Sequence, residues 1–122
     1  NIRPAIELDI SESNWPKNKY DYIYCANLLH YVSQENVENI FKNIVHNLKP
    51  EGLLAVYGPF NQDGFTSEGN KNLNRWLLSD VNPKAGIKEL KDISDLAKTH
   101  NLELMKNENM PANNHLLVFK LL

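Results

Sequence analysis

Tyr22-Ile23-Tyr24-Cys25-Ala26-Asn27-Leu28-Leu29-His30 decides the fold: residues 22–26 are continuously apolar or aromatic, and the chain turns polar at Asn27 and again at His30. A run without alternation reads as a strand covered on both faces, as in the middle of a parallel sheet. Ser33 follows as a helix N-cap, and Val37, Ile40, Phe41, Ile44, Val45 and Leu48 fall on one stripe of an α-helix. Lys49-Pro50-Glu51-Gly52 ends that helix, because proline cannot continue the hydrogen-bond ladder and glycine tolerates the turn that follows. Residues 53–57 then read as a second buried strand. Strand, helix and strand of these lengths make a βαβ unit, and the fold class is α/β.

Outward from this unit, residues 5–9 form an earlier strand candidate, joined to it by a polar connection over residues 11–19. Downstream, Tyr57-Gly58-Pro59-Phe60 opens a polar, glycine-containing stretch over residues 60–69, longer than a simple connection requires. Leu73, Trp76 and Leu77 make one side of a short helix, Asn82-Pro83-Lys84-Ala85-Gly86 breaks the pattern, and Asp92 is read as the cap of a helix burying Ile93, Leu96 and Ala97. Asn101 suits a left-handed helix terminus. Residues 102–108 and 116–121 are strand candidates joined through Met110-Pro111-Ala112-Asn113-Asn114, which makes them an antiparallel hairpin. The polar clusters after residue 26, after residue 57 and around residue 113 can therefore meet at one edge of the sheet, where open α/β folds bind ligands.

At 122 residues, with 42% hydrophobic and 23% charged residues, the chain is a single domain with an ordinary core. A net charge of -2 with interspersed signs offers no footprint for nucleic acid or an anionic membrane surface, and no apolar stretch approaches a membrane span. A cytoplasmic protein is the expectation, consistent with a lone Cys25 inside an apolar run. His30, His46, His100 and His115 stand far apart without zinc-ligand spacing, so no metal site is expected. The charges over residues 84–98 read as a solvated helix face, and Trp15 and Trp76 as core or lid anchors.

The order Leu8-Asp9, Asp21-Tyr22, Cys25-Ala26-Asn27-Leu28-Leu29-His30, Leu48-Lys49-Pro50-Glu51-Gly52-Leu53-Leu54, Tyr57-Gly58-Pro59-Phe60, Thr66-Ser67-Glu68 and Met110-Pro111-Ala112-Asn113-Asn114 resembles the methyltransferase-like DUF938 family, over almost the whole chain. The Tyr-Gly-Pro-Phe and Met-Pro-Ala-Asn-Asn clusters carry most of that resemblance. A parallel sheet finished by an antiparallel hairpin is likewise similar to the class I fold of S-adenosylmethionine-dependent methyltransferases. The resemblance implies a mostly parallel Rossmann-like sheet, S-adenosylmethionine as cofactor, and methyl transfer to a small-molecule acceptor of unknown identity. It implies cofactor contacts at Asp9, Ile10, Asn27 and Leu28, while the residues themselves offer His30, Tyr57 and Asn113 as catalytic candidates on the acceptor side.

Class I methyltransferases open with a strand and a Gly-rich turn, whereas Gly52, Gly58, Gly64, Gly69 and Gly86 never form G-x-G. By the family's order, residues 5–9 are the third strand, so residues 1–122 are expected to be one partial domain, the C-terminal portion of a longer one. The missing strands would lie beside residues 22–26, leaving an unpaired apolar edge that invites the rest of the protein or a second copy.

Several of these residues also have ordinary structural roles open to them. Asp9 can cap a loop, His30 can act as a general base or bond a loop carbonyl, and Asn113 and Asn114 can bind substrate or form a turn. The competing function is a non-catalytic α/β module with a structural or partner-binding role. A dehydrogenase half is disfavoured, because the terminal hairpin is not its mark.

Overall fold

A computed structural model describes residues 15–64 and 67–122. Strand β1 (Tyr20–Ala26), helix α1 (Gln34–Asn47) and strand β2 (Leu48–Pro59) form the βαβ unit, with β1 and β2 parallel and in register from Tyr22 opposite Leu53 to Ala26 opposite Tyr57. The Ser33 hydroxyl accepts from the Asn36 amide at 3.2 Å, satisfying one of the amides left over at a helix start. Val37, Ile40, Phe41 and Ile44 are buried as the stripe requires and Val45 is half-buried, whereas Leu48, read as the end of the stripe, is buried as the first residue of β2.

Helix and strand meet without a separate turn, which differs from the sequence reading. Pairing jumps from Tyr20 opposite Leu48 to Tyr22 opposite Leu53, so β2 bulges outward between these pairs. Within the bulge the left-handed residue is Glu51, at φ 66°, and not Gly52. Gly52 is needed for another reason: a Cβ there would lie 2.8 Å from the Lys49 carbonyl oxygen and 3.2 Å from that of Asp21.

Helix α2 (Glu68–Trp76) is capped by the Ser67 hydroxyl and runs into a π-helical turn, Leu77–Val81, closed by the Asn82 amide donating to the Leu77 carbonyl at 2.9 Å. Helix α3 (Leu90–Thr99) begins two residues before the expected cap: Glu89 is its N-cap residue, and Asp92 sits inside the first turn, where a negative charge suits the helix dipole. Asn101 adopts the expected left-handed conformation, at φ 62°. Strands β3 (Leu102–Met110) and β4 (Asn114–Leu121) form the antiparallel hairpin. The sheet order is β1-β2-β4-β3, with β4 antiparallel to β2. The sheet is thus mixed among the described residues, because the short hairpin returns β4 between β2 and β3. The strand candidate at residues 5–9 lies outside the described residues.

Leu54 and Val56 of β2, paired with Phe119 and Leu117 of β4, pack with the α1 stripe and with Ile93 and Ala97 of α3 into one core. Phe41 meets Phe119 edge to face at 6.2 Å. Both helices cover the same side of the sheet. Ile23 and Cys25 of β1 therefore pack against the core, while the intervening Tyr20, Tyr22 and Tyr24 are 45%, 74% and 66% exposed. Within the described residues β1 is thus covered on one face, where the sequence reading expects cover on both. Trp15 packs against the core, whereas Trp76 is exposed and meets Tyr31 edge to face at 6.4 Å.

Candidate functional site

The chain turns sharply where the parallel strands end. Asn27 takes a left-handed backbone, φ 53°, while its amide donates to the Tyr57 carbonyl at 2.8 Å and so keeps the turn tied to β2. Leu29–Tyr31 then form one 3-10 turn that buries Leu29 and His30. At the end of β2, a Cβ on Gly58 would stand 3.7 Å from His30 Nδ1 and 3.8 Å from Asn27 Oδ1, so the loops after β1 and β2 meet here. The hairpin contributes Pro111–Asn113, where Ala112 and Asn113 are both left-handed at φ 60°.

These loops and the start of α2 enclose a cleft of about 600 Å³, lined by Asn27, His30 and Tyr31 from the first loop, Pro59 from the second, Ala112, Asn113 and Asn114 from the hairpin, and Gly69, Asn70 and Leu73 from α2. The sequence-predicted clusters thus converge. The Asn114 amide also donates to the Pro111 carbonyl at 3.1 Å, so this residue serves its own turn.

His30 is the titratable group at the floor of this cleft. It is 5% exposed, and burial, helped by the positive charge of Lys88, pushes its imidazole down to about 4. At neutral pH the ring is uncharged. It lies against Tyr31 with ring centres 4.5 Å apart. The backbone of the same turn is also tied: the Gly86 amide donates to the His30 carbonyl at 3.0 Å.

That bond belongs to a strap that sequence reasoning missed. Over residues 86–89 the Ile87 amide donates to Asn74 Oδ1 at 2.8 Å, the Asn61 amide donates to the Lys88 carbonyl at 3.0 Å, and the Glu89 carboxylate accepts from the amides of Asp63 and Gly64. Gly86 is required there, since at φ 123° its Cβ would meet Asn74 Oδ1 at 2.9 Å. Lys88 is not on a solvated helix face. Its ammonium is half-buried and donates to the carbonyls of Val32 and Gly86 at 2.8 Å each, and burial pulls its pKa down to about 8.

Of the sequence-predicted residues, Asn27, His30 and Asn113 line the cleft together. Tyr57 supplies its carbonyl to Asn27, but the pleat sends its half-buried side chain to the face opposite Val56, and it does not line the cleft. Leu28 packs against the core and borders a second, mainly apolar pocket of about 470 Å³ with Trp15, Ile23, Cys25 and Ile40. Asp9 and Ile10 lie outside the described residues. The Cys25 thiol is pushed up to about 11 by burial, so it is protonated at neutral pH. Asn61 Oδ1 is buried without a hydrogen-bond partner among the described residues. No cluster of His, Cys, Asp and Glu among the described residues is arranged to hold a metal ion, and no helix among them is long and apolar enough to cross a membrane.

The family model described as "Protein of unknown function (DUF938)" matches residues 1–121. The chain belongs to the DUF938 family. Its fold is the C-terminal portion of the methyltransferase fold. An O-methyltransferase family protein from Burkholderia thailandensis superposes with a TM-score of 0.81 at 14% identity, over 94% of this chain and 34% of that one. Human N-acetylserotonin methyltransferase in complex with S-adenosylmethionine gives 0.78 at 15% identity, over 94% and 32%. The mitomycin 7-O-methyltransferase MmcR gives 0.79 at 16% identity, over 93% and 32%. This DUF938 chain therefore spans about a third of the length of the methyltransferases it resembles.

Proposed function

We propose that the complete protein transfers a methyl group from S-adenosylmethionine to a small-molecule acceptor, and that this chain builds the acceptor side of the site. The observation that carries the reading is the cleft at the carboxyl ends of β1 and β2, where Asn27, Asn113 and a neutral His30 come together. The residues present fit one wall of a cofactor site: Asn27 is exposed on a left-handed turn, and Gly58 leaves open the space beside its amide oxygen. Asn27 and Leu28 would hold the methionine end, while Asp9 and Ile10 carry the adenine contacts that the family resemblance implies. When bound, the cofactor supplies a sulfonium methyl group that is already electrophilic.

The chain's own residues then have a limited task. Asn113 orients the acceptor by hydrogen bonds, and burial of the cleft floor excludes water near His30. As a free base at neutral pH, the imidazole would accept the proton that the acceptor's hydroxyl or amine loses on methylation. Burial makes an imidazolium costly and the ring a weak base, so the ring would take the proton only as the acceptor gives it up.

The partner reading belongs to the same proposal. The exposed tyrosines of β1, at the sheet edge among the described residues, support a reading in which the remainder of the complete protein, or a second copy, would pack there.

The test is His30→Gln in the complete protein, assayed by transfer of labelled methyl to a panel of small hydroxyl and amine compounds, with cofactor affinity measured by calorimetry. A fall of roughly 100-fold or more in kcat/KM at unchanged cofactor affinity is expected for loss of a general base. Unchanged turnover would remove His30 from the chemistry. A complete protein that does not bind S-adenosylmethionine at all would support the non-catalytic module instead.

A further inference from the structure

Lys88 is 56 residues from Val32 in sequence, yet its ammonium is directed at the turn that carries His30. Two of its three N–H donors are spent on carbonyls, those of Val32 and Gly86, at 2.8 Å each. Gly86 in turn donates its own amide to the His30 carbonyl at 3.0 Å. Lysine, turn and strap therefore close a small ring of hydrogen bonds around the backbone of His30. A half-buried ammonium that forgoes most of its hydration has to be held by such acceptors. A surface role does not require this arrangement.

The other groups facing His30 are nearly all neutral. The first loop presents Asn27 and the Tyr31 ring, the end of β2 presents Gly58 and Pro59, α2 presents Asn70, and the hairpin presents Asn113 and Asn114. Among the described residues Tyr31 is the single other titratable neighbour in the cleft lining. Lys88 is thus the nearby charge that acts on the ring.

We propose that Lys88 is a positioning residue for His30: its ammonium clamps the turn that carries the ring and places a positive charge beside it. The proposal rests on the reading of His30 as the proton acceptor. The clamp fixes where the ring nitrogens point, and the charge opposes protonation of the ring from solvent. Together they keep the imidazole a free base, in place, well below the pH at which an exposed histidine becomes charged. Burial contributes the larger part of that protection and the lysine the remainder.

The experiment compares Lys88→Met, Lys88→Arg and Lys88→Gln in the complete protein. The readouts are the His30 ring titration by NMR, amide exchange at Gly86, and the pH profile of kcat/KM. In Lys88→Met the His30 midpoint and the acid limb of kcat/KM both move upward while staying below that of an exposed histidine. Gly86 loses roughly tenfold or more of its protection, and kcat/KM falls by a similar factor, as loss of charged hydrogen bonds implies. Lys88→Arg keeps the wild-type midpoint. Should Lys88→Met fail to fold, Lys88→Gln carries the test, since it removes the charge and keeps N–H donors: its midpoint rises with Gly86 protection largely retained. An unmoved His30 midpoint in the folded uncharged variant overturns the proposal. By contrast, full methyl transfer by His30→Gln overturns only the proton-acceptor reading and leaves the NMR result for Lys88 standing.

Discussion

Replacing His30 by Gln should change the acid stability of this protein by an amount that follows from the burial of the ring. An ordinary histidine titrates at 6.5, and the folded state holds His30 at about 4. Between those values the unfolded chain binds the proton and the folded one does not, so stability falls as pH falls. The stabilising contribution is fully present above pH 6.5, and it is lost progressively down to about pH 4. At 1.36 kcal/mol per pKa unit, the loss is on the order of 3 kcal/mol. The His115 imidazole is also lowered by burial and acts with the same sign, so a smaller slope persists in the variant. Urea unfolding followed by tryptophan fluorescence and circular dichroism, repeated across that pH window, measures the difference. The wild-type curve is expected to fall more steeply than that of His30→Gln. Parallel curves for the two proteins would falsify the claim that the ring is buried and neutral.

Other outcomes test the frame around the site. Gly52→Ala places a methyl group 2.8 Å from a backbone carbonyl oxygen, with the Asp21 carbonyl close on the other side, and should lose about 1–3 kcal/mol by urea unfolding; a neutral substitution would show that the bulge is not as tight as described. The 122-residue chain by itself should not bind S-adenosylmethionine tightly, and micromolar affinity by calorimetry would contradict the division of the cofactor site proposed above. The same chain should self-associate through the tyrosine face of β1, and a monodisperse monomer in light scattering would argue against an edge in need of cover.

Local pattern carried much of the fold. The α1 stripe, its Ser33 cap, the left-handed Asn101 and the terminal hairpin all depend on spacing or on single-residue conformational preference, and each is found where the sequence places it. The meeting of Asn27, His30 and Asn113 was legible for a related reason: loops at the ends of adjacent strands have few places to go. Features set by contacts between distant segments were not legible. The Lys88 clamp joins residues 56 apart, and nothing in the charge pattern of residues 84–98 separates Lys88 from its solvated neighbours. Tyr57 belongs to the right cluster but falls on the wrong phase of the pleat for its side chain to reach the cleft. Tyr22 and Tyr24 read as part of a doubly covered strand because aromatic content does not reveal which side the helices of this chain take. Gly52 was assigned a conformational role, whereas the pairing of β1 with the β2 bulge makes its role one of space.

The central claim is that the cleft floored by His30 forms part of an S-adenosylmethionine site in the complete protein. Amide NMR titration of that protein with S-adenosylmethionine tests it most directly. Saturable shifts centred on Asn27, Gly58 and His30 are the expected result. No binding up to about millimolar cofactor, or shifts that leave these residues untouched, would contradict the account.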